Sequence, residues 1–235
     1  MADTIVGIKF NDFVLLSAAG LGAHYYIKIT DTEDKMSQLD SHKVLVVNGE
    51  DGPRKNFQEY IRCNLQLNRM RQHGQVSSTP STASYIRNEL ASAIRSRGGA
   101  YECSSLLAGV DSSDINTYDH DDDVDEDDNA EEAAAKATQT AEKAVKASGE
   151  STTHLYWLDY IGTSQAVPYG AHGYGATFLI SILDRYYRPD MNPQEGVDLL
   201  QKCIDEVKKR VIISTPHFVT RVITKDGVQI LEHCK

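Results

Sequence analysis

The sequence has few cysteines and no long apolar run. Its 235 residues include only four cysteines, Cys63, Cys103, Cys203 and Cys234, which lack the close pairs of a zinc site and the density of a disulfide framework. No stretch approaches the ~18 apolar residues that span a bilayer, and the N-terminus, Met-Ala-Asp-Thr, lacks the basic and then apolar residues of a secretion signal. We therefore expect a chain that is neither secreted nor membrane-spanning, with reduced, mostly buried thiols, located in the cytoplasm or the nucleus.

Positive charge is also scarce, which counts against a nucleic-acid-binding protein. The chain has 24 Lys and Arg against 34 Asp and Glu, giving a net charge of -10. Residues 111–150 hold 14 of the acidic residues and three lysines, so this segment carries -11 and the other 195 residues carry +1. Because nucleic-acid binding requires a basic surface, we expect no nucleic-acid partner. The pattern indicates a near-neutral globular body with one acidic insert.

The insert has two compositions. Residues 119–128 are almost all acidic, whereas residues 130–147 are rich in Ala, Glu and Lys, which have high helix propensity. Aspartates at alternate positions from Asp119 resemble the start of a calcium loop, but no glycine follows at the sixth position of such a loop. We favour a solvated charge run over a calcium site. We expect disorder in the first part and a marginal, exposed helix in the second.

Hydrophobic periodicity predicts strands that are separated by pairs of helices. We predict a hairpin from residues 4–10 and 13–19, a strand at 42–48, two helices between residues 53 and 98, paired strands at 101–110 and 153–160, helices at 175–187 and 193–210, and strands at 218–223 and 228–233. Paired helices, rather than helices that alternate with single strands, favour layered antiparallel sheets over a doubly wound parallel sheet. The expected class is therefore α+β.

Two helix starts and one helix end have specific signals. Thr79 and Asn192 are predicted caps, since each precedes a proline suited to the first helical position. The basic run of Lys208, Lys209 and Arg210 falls in a predicted last turn, where cations complement the helix dipole. We therefore assign this run to helix termination rather than to a binding surface.

The glycine-rich stretch from Gly170 to Gly175 precedes a predicted helix, where free amides could bind a phosphate. Its spacing matches neither a Walker loop nor a dinucleotide fingerprint. We favour a tight strand-to-helix turn over a nucleotide site. His172 has no second His or Cys at ligand spacing, so we expect it to be packed or hydrogen-bonded rather than metal-bound.

Seven motifs follow one another along the chain: Asp3 to Ile8, Val14 to Ala19, Asp34-Lys35-Met36, Leu106 to Gly109, Tyr156 to Tyr160, His172 to Ala176, and Ser181 to Tyr187. In this order they resemble eukaryotic proteasome β subunits, most closely the non-catalytic β4 type. The resemblance covers nearly the whole chain except residues 111–150. It implies a four-layer α-β-β-α sandwich of two antiparallel sheets between helix pairs, the N-terminal nucleophile hydrolase fold, with residues 1–235 as one domain that the insert at 111–150 interrupts.

The resemblance also implies a degenerate active site. Active members use an N-terminal threonine whose hydroxyl attacks the peptide carbonyl and whose α-amine accepts the proton. Here the nucleophile position falls on Asp3, one residue before Thr4, and a carboxylate cannot replace the hydroxyl. Of the supporting positions, only the lysine is kept. The corresponding residues are Asp3 for the nucleophile, Ala19 for the aspartate, Lys35 for the lysine, Tyr174 for the serine of a Gly-Ser-Gly motif, and Arg210 and Ile213 for a later aspartate and serine.

The resemblance implies a non-catalytic structural subunit of the β ring of the 20S proteasome core, which serves ATP- and ubiquitin-dependent protein degradation. It implies other β subunits of the same and the facing ring and α-ring subunits as partners, and no cofactor. Two alternatives remain open: a threonine peptidase that uses Thr4 after an unusual cleavage behind Asp3, and an adaptor whose acidic insert recruits a basic partner.

Overall fold

The computed structural model describes residues 4–24, 27–30, 32–112, 151–211 and 217–231. The first five-stranded antiparallel sheet consists, in spatial order, of β10 (Tyr169–His172), β1 (Ile5–Lys9), β2 (Phe13–Ala19), β11 (Phe218–Thr224) and β12 (Gly227–Leu231). The second consists of β5 (Met36–Asp40), β6 (Lys43–Asn48), β7 (Ser104–Asp111), β8 (Thr152–Leu158) and β9 (Ser164–Ala166). Two short strands, β3 (Gly22–His24) and β4 (Ile27–Thr30), pair separately.

Four helices in the described residues cover the outer faces of the sheets. They are α1 (Asp51–Arg71), α2 (Thr79–Ile94), α3 (Ala176–Tyr186) and α4 (Pro193–Arg210). Three apolar clusters separate four layers: α3 and α4 pack on the first sheet, the two sheets pack on each other, and α1 and α2 pack on the second sheet. The α-β-β-α sandwich of two antiparallel sheets is therefore confirmed.

Strand β2 shows why the sequence folds into these layers. All seven of its residues are buried, because successive side chains point to opposite faces and both faces are covered. Val14 and Leu16 pack between the sheets, whereas Leu15 packs toward α3 and α4. The predicted N-terminal hairpin is confirmed, with Ile5 opposite Ala18 and Lys9 opposite Val14.

The strands on either side of the acidic insert pair as the sequence predicts. β7 and β8 form a continuous antiparallel ladder that runs from Ser105 opposite Leu158 to Asp111 opposite Thr152. The chain therefore enters and leaves the insert at neighbouring strand ends. The expectations of disorder, a calcium-like run and a marginal helix within residues 113–150 lie outside the described residues.

Both helix starts in the α1/α2 layer differ from the sequence-based expectation. The cap of α2 is Ser78 rather than Thr79, because the carboxylate of Asp111 accepts hydrogen bonds from the Thr79 backbone N–H at 2.9 Å and the Thr79 hydroxyl at 2.7 Å. Thr79 is thereby drawn into the first turn. α1 already begins at Asp51, since Pro53 still lies among the first residues, whose N–H groups need no intrahelical partner.

The start and end of α4 confirm the sequence-based expectation. Asn192 is the cap, Pro193 is the first helical residue, and Asn192 and Glu195 form a capping box. The three basic residues at positions 208 to 210 occupy the last turn. Among the residues that the structure describes, no helix is both long and apolar enough to cross a membrane.

The short strands β3, β4, β5 and β9 had no clear sequence signal. They are three to five residues long, and polar residues such as Gln38 and Gln165 interrupt any apolar run. β5 and β9 are positioned by pairing with the longer strands β6 and β8, whereas β3 and β4 pair only with each other. Periodicity within so few residues cannot distinguish them from loops.

Candidate active site

The candidate site lies where β1 begins and β2 ends, beside the start of α3. The hairpin register places Ala19 next to Thr4, and the Ala19 backbone N–H donates a hydrogen bond to the Thr4 carbonyl at 2.9 Å. Ala19 is fully buried and ends β2, where it lies opposite Phe218 of β11. The position that the resemblance assigns to an aspartate therefore faces the protein interior with a methyl group and no acid.

The hydroxyl of Thr4 is part of the start of α3. Thr4 is 1% exposed, and its hydroxyl accepts a hydrogen bond at 3.2 Å from the backbone N–H of Gly175, the residue that precedes α3. A Cβ at residue 175 would lie 2.7 Å from Thr4 Cγ2, so this close approach requires a glycine. The hydroxyl thus satisfies a donor at a helix start, where intrahelical partners are lacking.

Lys35 is fully buried immediately before β5. Its ammonium group donates a hydrogen bond to the Leu21 carbonyl at 2.6 Å, two residues beyond Ala19. Its own carbonyl accepts hydrogen bonds from the Gln58 side-chain amide of α1 at 2.7 Å and from the Val47 N–H at 3.3 Å. Lys35 is therefore hydrogen-bonded to α1, to β6 and to the segment just beyond the end of β2.

Tyr174 lies on the loop between β10 and α3 and is 62% exposed. It follows Gly173, whose φ of 93° is accessible mainly to glycine, and precedes the start of α3. The predicted tight strand-to-helix turn is confirmed. His172 is also packed as expected: its ring stacks on Trp157 with centroids 4.7 Å apart, and burial holds its pKa below the ordinary value.

The remaining site positions divide into one described and two undescribed residues. Arg210 is the last residue of α4, where its Nε donates a hydrogen bond to Glu206 at 3.0 Å and its guanidinium lies 5.5 Å from the centre of the Phe178 ring. Asp3 and Ile213 lie outside the described residues. The structure thus brings together Thr4, Ala19, the turn around Tyr174, and Lys35 by way of Leu21.

A network of charges next to Lys35 was not predicted. Arg54 of α1 is fully buried and donates hydrogen bonds to Glu33 and Asp51, both at 2.8 Å. Burial alone would lower the pKa of Arg54, but the hydrogen bonds that Arg54 donates to the Asp51 and Glu33 carboxylates outweigh burial and raise that pKa. The sequence does not mark Arg54 as buried, because Asp51 three residues earlier is an ordinary surface spacing on a helix and the other partner, Glu33, lies 21 residues earlier.

These groups lack two things that a threonine peptidase needs, a free α-amine and a supporting acid. In the uncut chain the nitrogen of Thr4 belongs to a peptide bond with Asp3 and cannot accept a proton as a free amine. The Thr4 hydroxyl is buried against Gly175, and Ala19 contributes no acid. In the part of the chain that the structure describes, no group of three or more His, Cys, Asp or Glu side chains is arranged to hold a metal.

Two antiparallel sheets between helix pairs, with a buried lysine and a threonine at the end of the first hairpin, define the N-terminal nucleophile hydrolase fold. A family model described as "Proteasome subunit" matches residues 1–123 and 143–223. The chain belongs to this proteasome subunit family.

Its relatives resemble it over nearly the full length. The chain is 50% identical over 233 residues to "Proteasome subunit beta type-2" of Trypanosoma brucei brucei, which covers 97% of each protein. It is 34% identical to "Probable proteasome subunit beta type-4" of Meyerozyma guilliermondii, over 98% of this chain and 100% of that protein. It is 33% identical to "Proteasome subunit beta type-2-B" of Arabidopsis thaliana, over 97% and 94%. The similarity is therefore to β-type subunits.

Proposed function

We propose that this chain is a non-catalytic subunit of the β ring of a 20S proteasome core, where it contributes to assembly and to the wall of the proteolytic chamber. The observation that carries the proposal is the pairing of a buried Thr4 hydroxyl with the start of α3, next to an alanine at position 19. A residue whose hydroxyl is a fixed structural acceptor, without a neighbouring acid, is poorly suited to attack a peptide bond.

The six site positions taken from the resemblance fit this proposal as remnants of a catalytic site. A carboxylate at the nucleophile position cannot act as an alkoxide. Tyr174 provides an exposed phenol at the position where the resemblance expects a serine hydroxyl. Lys35 acts in the proposal as a structural lysine, since it bridges the end of β2 and the start of β5. These positions are Asp3, Ala19, Lys35, Tyr174, Arg210 and Ile213.

We further propose that the chain folds as one domain interrupted at 111–150, and that its partners are β subunits of the same and the facing ring and α-ring subunits. The names of its relatives support a place in such an assembly. A location in the cytoplasm and the nucleus agrees with Cys63, Cys103 and Cys203, which are free thiols.

Purification of a tagged full-length chain tests the structural role. We expect it to elute with a particle far larger than 26 kDa, and mass spectrometry should identify a full set of α and β subunits. The intact mass of this chain in the particle should correspond to a start at Met1 or Ala2. Recovery of the chain without other subunits would overturn the proposal, and a mass corresponding to a start at Thr4 would favour the peptidase alternative.

The Asp3→Thr variant tests the absence of catalysis separately from assembly. We expect no labelling of this chain by an epoxyketone inhibitor that reacts with N-terminal threonines, because Ala19 still provides no acid and the retained Met-Ala blocks the amine. Catalytic subunits of the same particle provide the positive control for labelling. Labelling of the variant chain itself would contradict the proposed inactivity, while leaving its place in the particle intact.

A further inference from the structure

A pair of aromatic rings joins the two sheets at one edge of the sandwich. His172 ends β10, the edge strand of the first sheet, and Trp157 lies on β8 of the second sheet. The centroids of the two rings are 4.7 Å apart, and their planes differ by 19°. The Trp157 indole N–H also donates a hydrogen bond to the Ala171 carbonyl at 3.4 Å. We call the stacked rings of His172 and Trp157 the aromatic clasp.

The aromatic clasp is closely packed and shielded from water. A Cβ at Gly170 would lie 3.2 Å from the Trp157 ring and 3.3 Å from the Leu106 side chain, so little space remains beside the indole. His172 is only 8% exposed. A positive charge on the His172 ring would therefore lose most of its hydration, which is costly in a protein interior.

The Nε2 atom of His172 has no hydrogen-bond partner among the residues that the structure describes, although it is buried. The Ser105 hydroxyl of β7 is buried and lacks a partner in the same way, so these two groups do not bond to each other. A neutral imidazole carries one N–H, whereas a protonated imidazole carries an N–H on both nitrogens. Protonation would therefore leave a charged donor of His172 without an acceptor inside the protein.

Burial dominates the interactions that act on the His172 ring. It holds the pKa of His172 below the ordinary value, because an interior penalises the charged form. Ile5 of β1 lies opposite His172 in the ladder and offers no charge. The face of Trp157 attracts a cation, but this attraction is weaker than the cost of burying an unpaired charge. The other groups that favour the charged ring come from β7, β8 and the turn after β8, and they are the backbones of Ser105 and Leu158 and the carboxylate of Asp159.

The turn that follows the aromatic clasp connects it to the candidate site. His172 is followed directly by Gly173, Tyr174 and Gly175. The Gly175 N–H is the donor that bonds to the Thr4 hydroxyl at 3.2 Å. A displacement of the end of β10 therefore moves the group that holds the Thr4 hydroxyl.

We propose that the aromatic clasp is a pH-sensitive latch between the two sheets, which opens when His172 takes up a proton, loosens β10 from the second sheet and releases the Thr4 hydroxyl from the turn before α3. At neutral pH the ring is neutral and the latch is closed. The folded-state pKa of His172 lies below the unfolded value of 6.5, so its contribution to stability is complete above that pH and is lost as the pH falls through the folded pKa. The inference does not depend on the proposed role in the proteasome.

Backbone hydrogen–deuterium exchange of the full-length chain, in whatever assembly it purifies with, tests the latch. The rate for residues 167–176 is divided at each pH by the rate of the same peptide in isolation. We expect this corrected rate to rise about three- to tenfold between pH 7 and pH 5.5, because linkage allows at most a tenfold change per pH unit for one proton. A corrected rate that does not change with pH would overturn the proposal.

The His172→Phe variant separates protonation from other effects of acid. Phenylalanine keeps an aromatic ring on Trp157 but cannot take up a proton, so the corrected rate should no longer depend on pH. The matched control is His154→Phe. His154 lies on the same strand as Trp157 but three positions away, so its side chain points to the opposite face of the sheet, and this variant should behave as wild type. Persistence of the pH dependence in His172→Phe, or its loss in His154→Phe, would contradict the assignment to His172.

Deuterium exchange at the Cε1–H of histidine provides a measurement that needs no variant, and it stands even if His172→Phe does not fold. The rate of this exchange follows the titration of each ring, and mass spectrometry of proteolytic peptides resolves the individual histidines. We expect the midpoint for His172 in the intact chain to lie at a lower pH than the midpoint for a free peptide of residues 168–176. A midpoint at or above that of the free peptide would overturn the latch.

Discussion

The two helix layers are attached to their sheets in different ways. α3 and α4 are held by an apolar cluster and by a local capping box at Asn192 and Glu195. α1 and α2 also have an apolar cluster, but polar contacts over long sequence separations position them, from Arg54 to Glu33 and from Asp111 to Thr79. The comparison teaches that neighbouring residues determine the start of α4, whereas contacts made only in the folded protein determine the start of α2 and contribute to that of α3.

The largest expected loss of stability is in the layer formed by α3 and α4. Leu183 of α3 is fully buried, so Leu183→Ala should lower the free energy of unfolding by about 2–5 kcal/mol and reduce incorporation into an assembly. Urea unfolding of the full-length chain measures the change. Ile180→Ala on the same helix is the control, because Ile180 is 39% exposed and its truncation should cost far less. Equal effects of the two variants would mean that Leu183 is not part of a tightly packed core.

The corresponding substitution in the layer formed by α1 and α2 is Arg54→Met. It leaves Glu33 and Asp51 without their shared buried partner, and we expect a loss of about 2 kcal/mol, less than for fully buried pairs because Asp51 is half exposed. Lys55→Met is the control, since Lys55 contacts the same Glu33 carboxylate at 2.9 Å from an exposed position. If Lys55→Met cost as much as Arg54→Met, burial would not distinguish the two cations.

The pH dependence of that loss sharpens the comparison. Burial alone would raise the pKa values of Glu33 and Asp51, but hydrogen bonds from Lys55 and Arg54 to Glu33, and from Arg54 to Asp51, hold both below their ordinary values. A depressed folded-state pKa gives stability that is full above the unfolded pKa of about 4 and is lost as the pH falls through the folded pKa. The stability difference between wild type and Arg54→Met should therefore be constant above about pH 5 and shrink below about pH 4. A difference that grew on acidification would contradict this assignment.

Substitutions at the starts of α2 and α4 should have smaller effects on stability, of about 1 kcal/mol each. Asp111→Ala and Asn192→Ala should both destabilise the protein by this amount, because each removes acceptors from a helix N-terminus. Isolated helix peptides separate the mechanisms. Asn192→Ala should also lower the helicity of a peptide of residues 190–211, measured by circular dichroism. A peptide of residues 77–96 lacks residue 111, so the contribution of Asp111 to α2 can be seen only in the folded protein. An unchanged 190–211 peptide would show that the α4 cap is not local.

The smallest effect is expected for the insert. Replacing residues 112–150 by a short turn should leave the stability of both layers unchanged within about 0.5 kcal/mol, because β7 and β8 pair without it and loop length has a weak effect on folding entropy. Thermal unfolding and recovery in the assembled particle measure the outcome. A variant that folds but does not enter the particle would show that the insert is a required contact.

The parts of the fold that could be predicted are those with local signals. The hairpin of β1 and β2 follows from two apolar runs around Asn11-Asp12, and the α4 cap follows from Asn192-Pro193. The pairing of β7 with β8 could be predicted because the insert only replaces a turn. The start of α2 could not, because Asp111 lies 32 residues from Thr79 and acts on it only in the folded protein.

The assignment of the candidate site residues stays a prediction that rests on the resemblance. The resemblance selected Ala19, Lys35 and Tyr174, and the structure places each near the end of β2 or the start of α3. The role of Thr4 could not be predicted, because its hydroxyl is committed to an N–H group 171 residues away. The network of Arg54 had no sequence signal, since a buried arginine resembles a surface one until its partners are known.

The neighbouring ends of β7 and β8 have a consequence for a chain that has been cut. Because Asp111 lies opposite Thr152, a single break within residues 113–150 divides the protein into two pieces whose edges are still joined by seven residue pairs of the β7–β8 ladder. Each piece also keeps strands of both sheets and one of the two helix pairs. The two halves should therefore remain associated without a covalent link, and separately produced halves should reconstitute the sandwich.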